Sequence, residues 1–217
     1  MSESFVPKTF IAGAFPLLRD SVTLATGNLT RGSVLGKITT GGVTAAAKTG
    51  GNTGQGTCTV LAAKSKTKLG VYVVRCIATG TGVGTFSVVD PDGERLEDAT
   101  ASAGGVTYNN RQITFKLIAT GTDYALGDGF DITVAAGSGQ YKLVNSASVD
   151  GSQNPVAVLA EDMDATSAVR TVSVYITGEF VRSSLVFGGS DTYATHQDAM
   201  RARSMFCRDI QTVGGLG

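Results

Sequence analysis

The chain has 217 residues, 29 of them glycine, no tryptophan, and equal numbers of acidic and basic side chains, 18 of each. That length supports one or two domains with a real apolar core. Zero net charge argues against a broad basic face for nucleic acid, whose binding is dominated by phosphate neutralisation, and no apolar run is long enough to span a bilayer.

The opening residues carry Phe5, Pro7, Phe10, Phe15 and Pro16 with little periodicity. Proline restricts its own φ and the residue before it, which favours extended chain. Residues 1–20 read either as a frayed terminus or, since three phenylalanines in the first sixteen residues are costly to leave in water, as an apolar arm that orders on a partner. No basic stretch leads into an apolar core here, so no secretory signal is expected.

Residues 21–40 read as two short strands: Val22 and Leu24 alternate, Gly27-Asn28 turns, and Arg31 to Ile38 follows. Gly36-Lys37 is not a phosphate loop, because Arg31 stands where its first glycine belongs and Ile38 follows the lysine. Gly41-Gly42, Ala45-Ala46-Ala47 and the run Lys48–Gly56 then read as a flexible linker, matched by a glycine-rich exit at 135–139. Two hinges around a strand-rich middle predict an inserted β domain at 50–138 and a discontinuous base at 21–49 and 139–217.

Within the insert, strands are predicted at 57–63, 70–79, 84–90, 111–119 and 130–135, folding as a small β-sandwich or open barrel. Gly80, Gly82 and Gly84 precede a strand, so they make a hairpin and not a dinucleotide fingerprint. Asp90-Pro91-Asp92-Gly93 is a turn; with Glu94 its carboxylates lack the calcium-loop spacing and read as solvated. Tyr72, Tyr108 and Tyr124 are the aromatic candidates for a host-surface ligand such as a glycan; the competing reading makes them core. Cys58, Cys76 and Cys207 form no CxxC and read as small thiols, with a Cys58–Cys76 bridge left open.

After the exit come a strand at 140–144, a turn at Asp150-Gly151-Ser152 and an apolar run from Val156 to Ala160. Glu161, Asp162 and Asp164 form an acidic corner, read as a turn and the cap of a following helix. In the next strand Val172, Val174 and Ile176 take one face and Thr171, Ser173, Tyr175 and Thr177 the other, predicting one buried and one wet face. A helix is predicted over Tyr193–Asp209, capped by Asp191 or Thr192, with Ala199, Ala202, Phe206 and Ile210 inside and His196 on its surface. No GxSxG, HExxH or metal-ligand cluster accompanies that lone histidine, so neither enzyme chemistry, metal nor cofactor is expected.

Five stretches taken together carry a resemblance: Leu29-Thr-Arg-Gly-Ser-Val-Leu-Gly-Lys37, Asp150-Gly-Ser-Gln-Asn-Pro155, Ala157-Val-Leu-Ala-Glu-Asp-Met-Asp-Ala165, Val174-Tyr-Ile-Thr-Gly-Glu-Phe180 and Arg201-Ala-Arg203. In order and spacing they resemble the head decoration protein family of lambda-like tailed bacteriophages. The resemblance implies a mainly β protein, a small base with one C-terminal helix; the inserted β-sandwich-like domain at 50–138 departs from the compact members of that family, which lack it. It further implies a homotrimer on the outside of the expanded capsid, at threefold and quasi-threefold sites, clamping neighbouring capsomers. Its partner would be the major capsid protein, contacted by Phe5, Pro7, Phe10 and Phe15; the base motif would be Gly151, Pro155, Glu161, Asp162, Gly178, Glu179 and Phe180. The alternatives are another virion β protein, such as a tail-tube or baseplate subunit, or a carbohydrate-binding display module.

Overall fold

The structure, a computed structural model, describes residues 10–209. Chain order gives β1 (Leu18–Leu24), β2 (Asn28–Leu29), β3 (Val34–Lys37), β4 (Thr40–Ala47), β5 (Gly56–Ala63), β6 (Gly70–Gly80), β7 (Val83–Val89) and β8 (Ala99–Ser102). Then follow β9 (Val106–Asn109), β10 (Ile113–Ala119), β11 (Gly129–Ala136), β12 (Tyr141–Leu143), β13 (Pro155–Leu159), β14 (Met163–Asp164), β15 (Arg170–Val181), α1 (Tyr193–Arg201) and β16 (Met205–Arg208). They form two compact units, one of residues 1–38 with 139–217 and one of residues 39–138.

In the first unit the strands run β1-β12-β3-β13-β15, and β1 pairs again with β15, so the sheet closes on itself. Closure removes the free edges that an open sheet would expose. β15 organises it: one edge carries β1 and Ile11, the other β13 and then β16, which pairs in parallel from Gly178–Met205 to Val181–Arg208. Val22, Leu24, Leu35, Leu159, Val172 and Val174 fill one cluster, on the faces that the two-residue period assigns to the barrel interior. Val34, Val158, Tyr175 and Phe180 point the other way and pack with Phe10, Tyr193, Met200 and Met205. On the face of β15 predicted to be wet, Thr171 is exposed and Ser173 and Thr177 are half-buried, but Tyr175 is buried in this second cluster.

Three expectations change here. Phe10 is only 4% exposed, packed on Tyr175 and Phe180, so it belongs to the core and not to a loose arm. The helix stops at Arg201; Ser204 turns the chain at φ +58° and Met205–Arg208 becomes a strand, because the edge of β15 offers it a hydrogen-bonded ladder. The inner helix residues are Tyr193, His196 and Met200, while Ala199 and Ala202 are exposed, and Ile210 lies outside the described residues. The acidic corner caps no helix; Met163–Asp164 pairs with Asn28–Leu29.

In the second unit the sheet order is β4-β11-β6-β7-β8-β10-β5, with β9 on β10. Inward residues alternate along β6, β7 and β10 and build a single core around Tyr72, Phe86, Phe115 and Ile132. One sheet wraps this core, which is the open-barrel alternative and not a two-sheet sandwich. The five strands predicted in this region all form, whereas β4, β8 and β9 were not predicted. Residues 40–47 looked like linker because glycine and alanine dominate them; they form β4, which pairs along β11, where a Cβ on Gly41 would meet the Ala136 carbonyl oxygen at 2.5 Å.

Candidate functional site

Residues predicted to carry function divide into buried framework and exposed surface. Phe5 and Pro7 lie outside the described residues. Phe15 is 37% exposed and packs edge-on against Phe206, itself 36% exposed, with ring centres 4.9 Å apart. Leu17 and Leu18 are also exposed, Leu18 at 55%, so the segment leading into β1 lays an apolar strip on the surface. Beneath its first turn Glu179 is buried, bonded to the exposed Arg208, and its carbonyl accepts the Ala12 N–H at 2.8 Å. Sequence reasoning missed Leu17, Leu18, Phe206 and Arg208, because Phe206 looked like a helix-core residue; a strand after the helix is visible only once β15 is in place.

The base-motif residues serve different ends. Gly151 accepts the Asn154 N–H at 3.2 Å, in a turn tied by Asp150 to Ser152 and to Lys142 at 2.8 Å. Burial would raise the Asp150 carboxyl, but hydrogen bonds from Lys142 and Ser152 hold it below the usual range. Pro155 is buried opposite Gly36, and Phe180 is fully buried in the second cluster. Gly178 pairs with Met205 at the start of the parallel ladder. Glu161 is exposed and does not line the neighbouring cleft.

Asp162 does. Its Oδ1 accepts the Arg31 N–H at 2.6 Å, joining two of the stretches that carry the family resemblance. The Arg31 guanidinium lies 4.7 Å from the centre of the Phe10 ring. Gly32, at φ +91°, lets this turn approach Ser184, whose carbonyl oxygen would stand 2.1 Å from a Cβ there. The result is a cleft of about 550 Å³ lined by Phe10, Thr30, Arg31, Asp162, Ser183 and Ser184, together with Val186.

Catalytic geometry fails where its residue types do meet. His196 is 4% exposed, contrary to expectation, stacked on Phe187, with Nε2 2.8 Å from Asp191 Oδ2. The Ser146 hydroxyl donates to Asp191 Oδ1 at 2.5 Å, so serine and histidine share the carboxylate and the histidine does not receive the serine proton. The Ser146 hydroxyl and N–H and His196 hold the Asp191 carboxyl below its usual range against the opposing effect of burial. This is a latch between α1 and the loop at Ser146.

In the second unit, Asp90 is buried and Lys68 Nζ stands 2.5 Å from it, 2.8 Å from Asp92 and 3.6 Å from Glu94. The place a cation would take among these carboxylates is filled by the chain's own ammonium. Burial raises the Asp90 carboxyl, but Lys68, Gln112 and the Glu94 and Asp92 N–H groups outweigh it and bring it down to about 2. Tyr72, Tyr108 and Tyr124 are all buried in the core, so none is a surface platform for a sugar. Cys58 and Cys76 are free thiols on strands that do not pair, and burial pushes Cys58 up to about 12. Among the described residues no His, Cys, Asp and Glu grouping is placed to hold a metal, and no helix is long and apolar enough to cross a membrane.

These features define a β scaffold that carries an exposed apolar strip and a polar cleft, the equipment of a binding protein. The family model described as bacteriophage lambda head decoration protein D matches residues 3–205, and the chain belongs to that family. It is a phage head decoration protein, in a family of structural capsid proteins, and its partner is the phage capsid. No curated protein matches the chain. Two crystal structures of Xanthomonas campestris FlgL are similar at 24% identity and TM-score 0.35, covering 52% and 51% of this chain and 34% and 33% of theirs. This chain spans about a third of the FlgL chain.

Proposed function

We propose that this protein binds the outer surface of the expanded head as a homotrimer, at threefold and quasi-threefold sites, and stabilises the shell by clamping neighbouring capsomers. The observation that carries the reading is the strip of Phe15, Leu17, Leu18 and Phe206, exposed on an otherwise closed barrel in a member of the decoration family. Apolar area of this kind gains free energy when a partner covers it, about 25 cal/mol per Å². A subunit that binds only the mature lattice stabilises it by mass action, and many copies multiply the effect. Three identical patches on a cyclic trimer can meet three identical neighbours. Within this reading residues 39–138 are an insertion displayed outward. Support comes from the base ladder, where the Ile38 N–H reaches the Gln140 carbonyl at 2.8 Å and the Gly139 N–H reaches the Ile38 carbonyl at 3.0 Å, so β3 and β12 meet without the insert.

The test mixes purified protein with undecorated expanded capsids and images them, with light scattering for the free oligomer. Knobs at threefold positions and raised capsid melting are expected. Unchanged capsids, or protein recovered on tails, would refute the reading.

A further inference from the structure

The cleft between Arg31 and Ser184 has the chemistry of a receptor. Its cation is exposed, yet its position is fixed: the guanidinium lies on the buried Phe10 ring, and the backbone beneath it is held by Asp162. Arg31 takes no part in the ion pairs formed among the described residues. Stacking orders the side chain before a ligand arrives, so less freedom is lost when it binds, and the planar fork still presents donors in the geometry a carboxylate accepts. The hydroxyl-bearing residues Thr30, Ser183 and Ser184 line the same cleft. Asp162 spends one oxygen on the Arg31 N–H, which fixes the turn, but its charge opposes an incoming anion.

We propose that this cleft is a socket for an acidic side chain, Asp or Glu, presented by the capsid lattice subunit. The proposal rests on the decorating reading above and adds to its apolar contacts a fixed polar anchor. Residues far apart in sequence, Phe10, Arg31, Asp162 and Ser184, share this surface, and the pairing of β3 with β13 and of β2 with β14 brings the Leu29–Lys37 and Ala157–Ala165 stretches together there.

The experiment measures binding of R31Q, R31A, R31E and D162N to undecorated expanded capsids over a range of salt, with thermal melting of each variant alone. Arg31→Gln keeps a planar group able to cover Phe10 and so guards against a folding defect in R31A. Loss of affinity on the order of tenfold is expected for R31Q and R31A, and a larger loss for R31E. D162N keeps an acceptor for the Arg31 N–H but removes the opposing charge, so it binds more tightly than wild type, and both effects shrink as salt rises. Wild-type affinity in the folded Arg31 variants would overturn the assignment, as would a D162N variant weakened as much as R31Q. Disappearance of the R31Q defect in an E3Q background would place the chain's own Glu3 in the socket and overturn it too. Wild-type protein that ignores the capsids would overturn the decorating reading, and this assignment with it.

Discussion

Two phenylalanines five positions apart are predicted to fail in opposite ways. Phe10→Ala removes a ring that is 4% exposed and sits 5.3 Å from Phe180 and 6.0 Å from Tyr175, with Arg31 above it. Truncating a packed phenylalanine costs about 3–5 kcal/mol, from lost transfer free energy and the cavity left behind. Against a domain stability of about 5–15 kcal/mol that is a large fraction, and it lowers the melting temperature of the base by on the order of 10 °C. Phe15→Ala removes a ring that is 37% exposed and touches Phe206. Its stability cost is about 1 kcal/mol, a partly buried ring and one aromatic pair, while its capsid binding falls sharply.

Calorimetry and urea denaturation of the two variants, followed by capsid pelleting, read both quantities. A Phe10→Ala protein that melts like wild type would mean that residues 10–12 do not dock on β15, and the assignment of Phe10 to the core would be wrong. A Phe15→Ala protein that binds capsids normally would remove the apolar strip from the interface.

Other changes have equally definite signs. Lys68→Met leaves the buried Asp90 carboxylate without its cation and lowers the urea midpoint of the insert; a midpoint unchanged from wild type would count against it. The Asp90 carboxyl is at about 2 folded against 3.8 unfolded, so its contribution is complete above pH 3.8 and is lost as pH falls towards 2; D90N flattens the acid limb of the stability curve, and an equally steep limb would refute the linkage. Replacing residues 39–138 by a short glycine-rich turn between Ile38 and Gly139 leaves a soluble base that melts near its parent temperature and still binds capsids; an insoluble product would show that the insert is integral. Removing residues 1–9 spares the core, whereas a cut at residue 20 takes Phe10 and the start of β1 and unfolds the base, which far-ultraviolet dichroism distinguishes.

The strands of the insert were legible because β-branched and aromatic residues alternate there without ambiguity, as in Ile113-Thr-Phe-Lys-Leu117. β4 was not, since only Gly41 there is held to its type by close approach to β11, and a run of glycine and alanine has the composition of a linker when the partner strand is unseen. The same limit hid β16. Phe206 keeps helical spacing from Ala199 and Ala202, and only the vacant edge of β15 outweighs that local preference. Secondary structure set by a distant partner leaves little trace in its own segment.

The division of the N-terminal segment follows from that same strand. β15 is twelve residues long, and β1 occupies its first part from Arg170 to Thr177. The remainder, ending at Val181, would present bare carbonyls and N–H groups on that side unless chain upstream of β1 covered it. Residues 10–12 do so: the Val181 N–H donates to the Phe10 carbonyl at 2.9 Å and the Ala12 N–H to the Glu179 carbonyl at 2.8 Å. Satisfying those groups is obligatory for a buried strand. Phe10 is therefore committed to the base before any partner is met, while residues 13–17, between that ladder and β1, remain exposed.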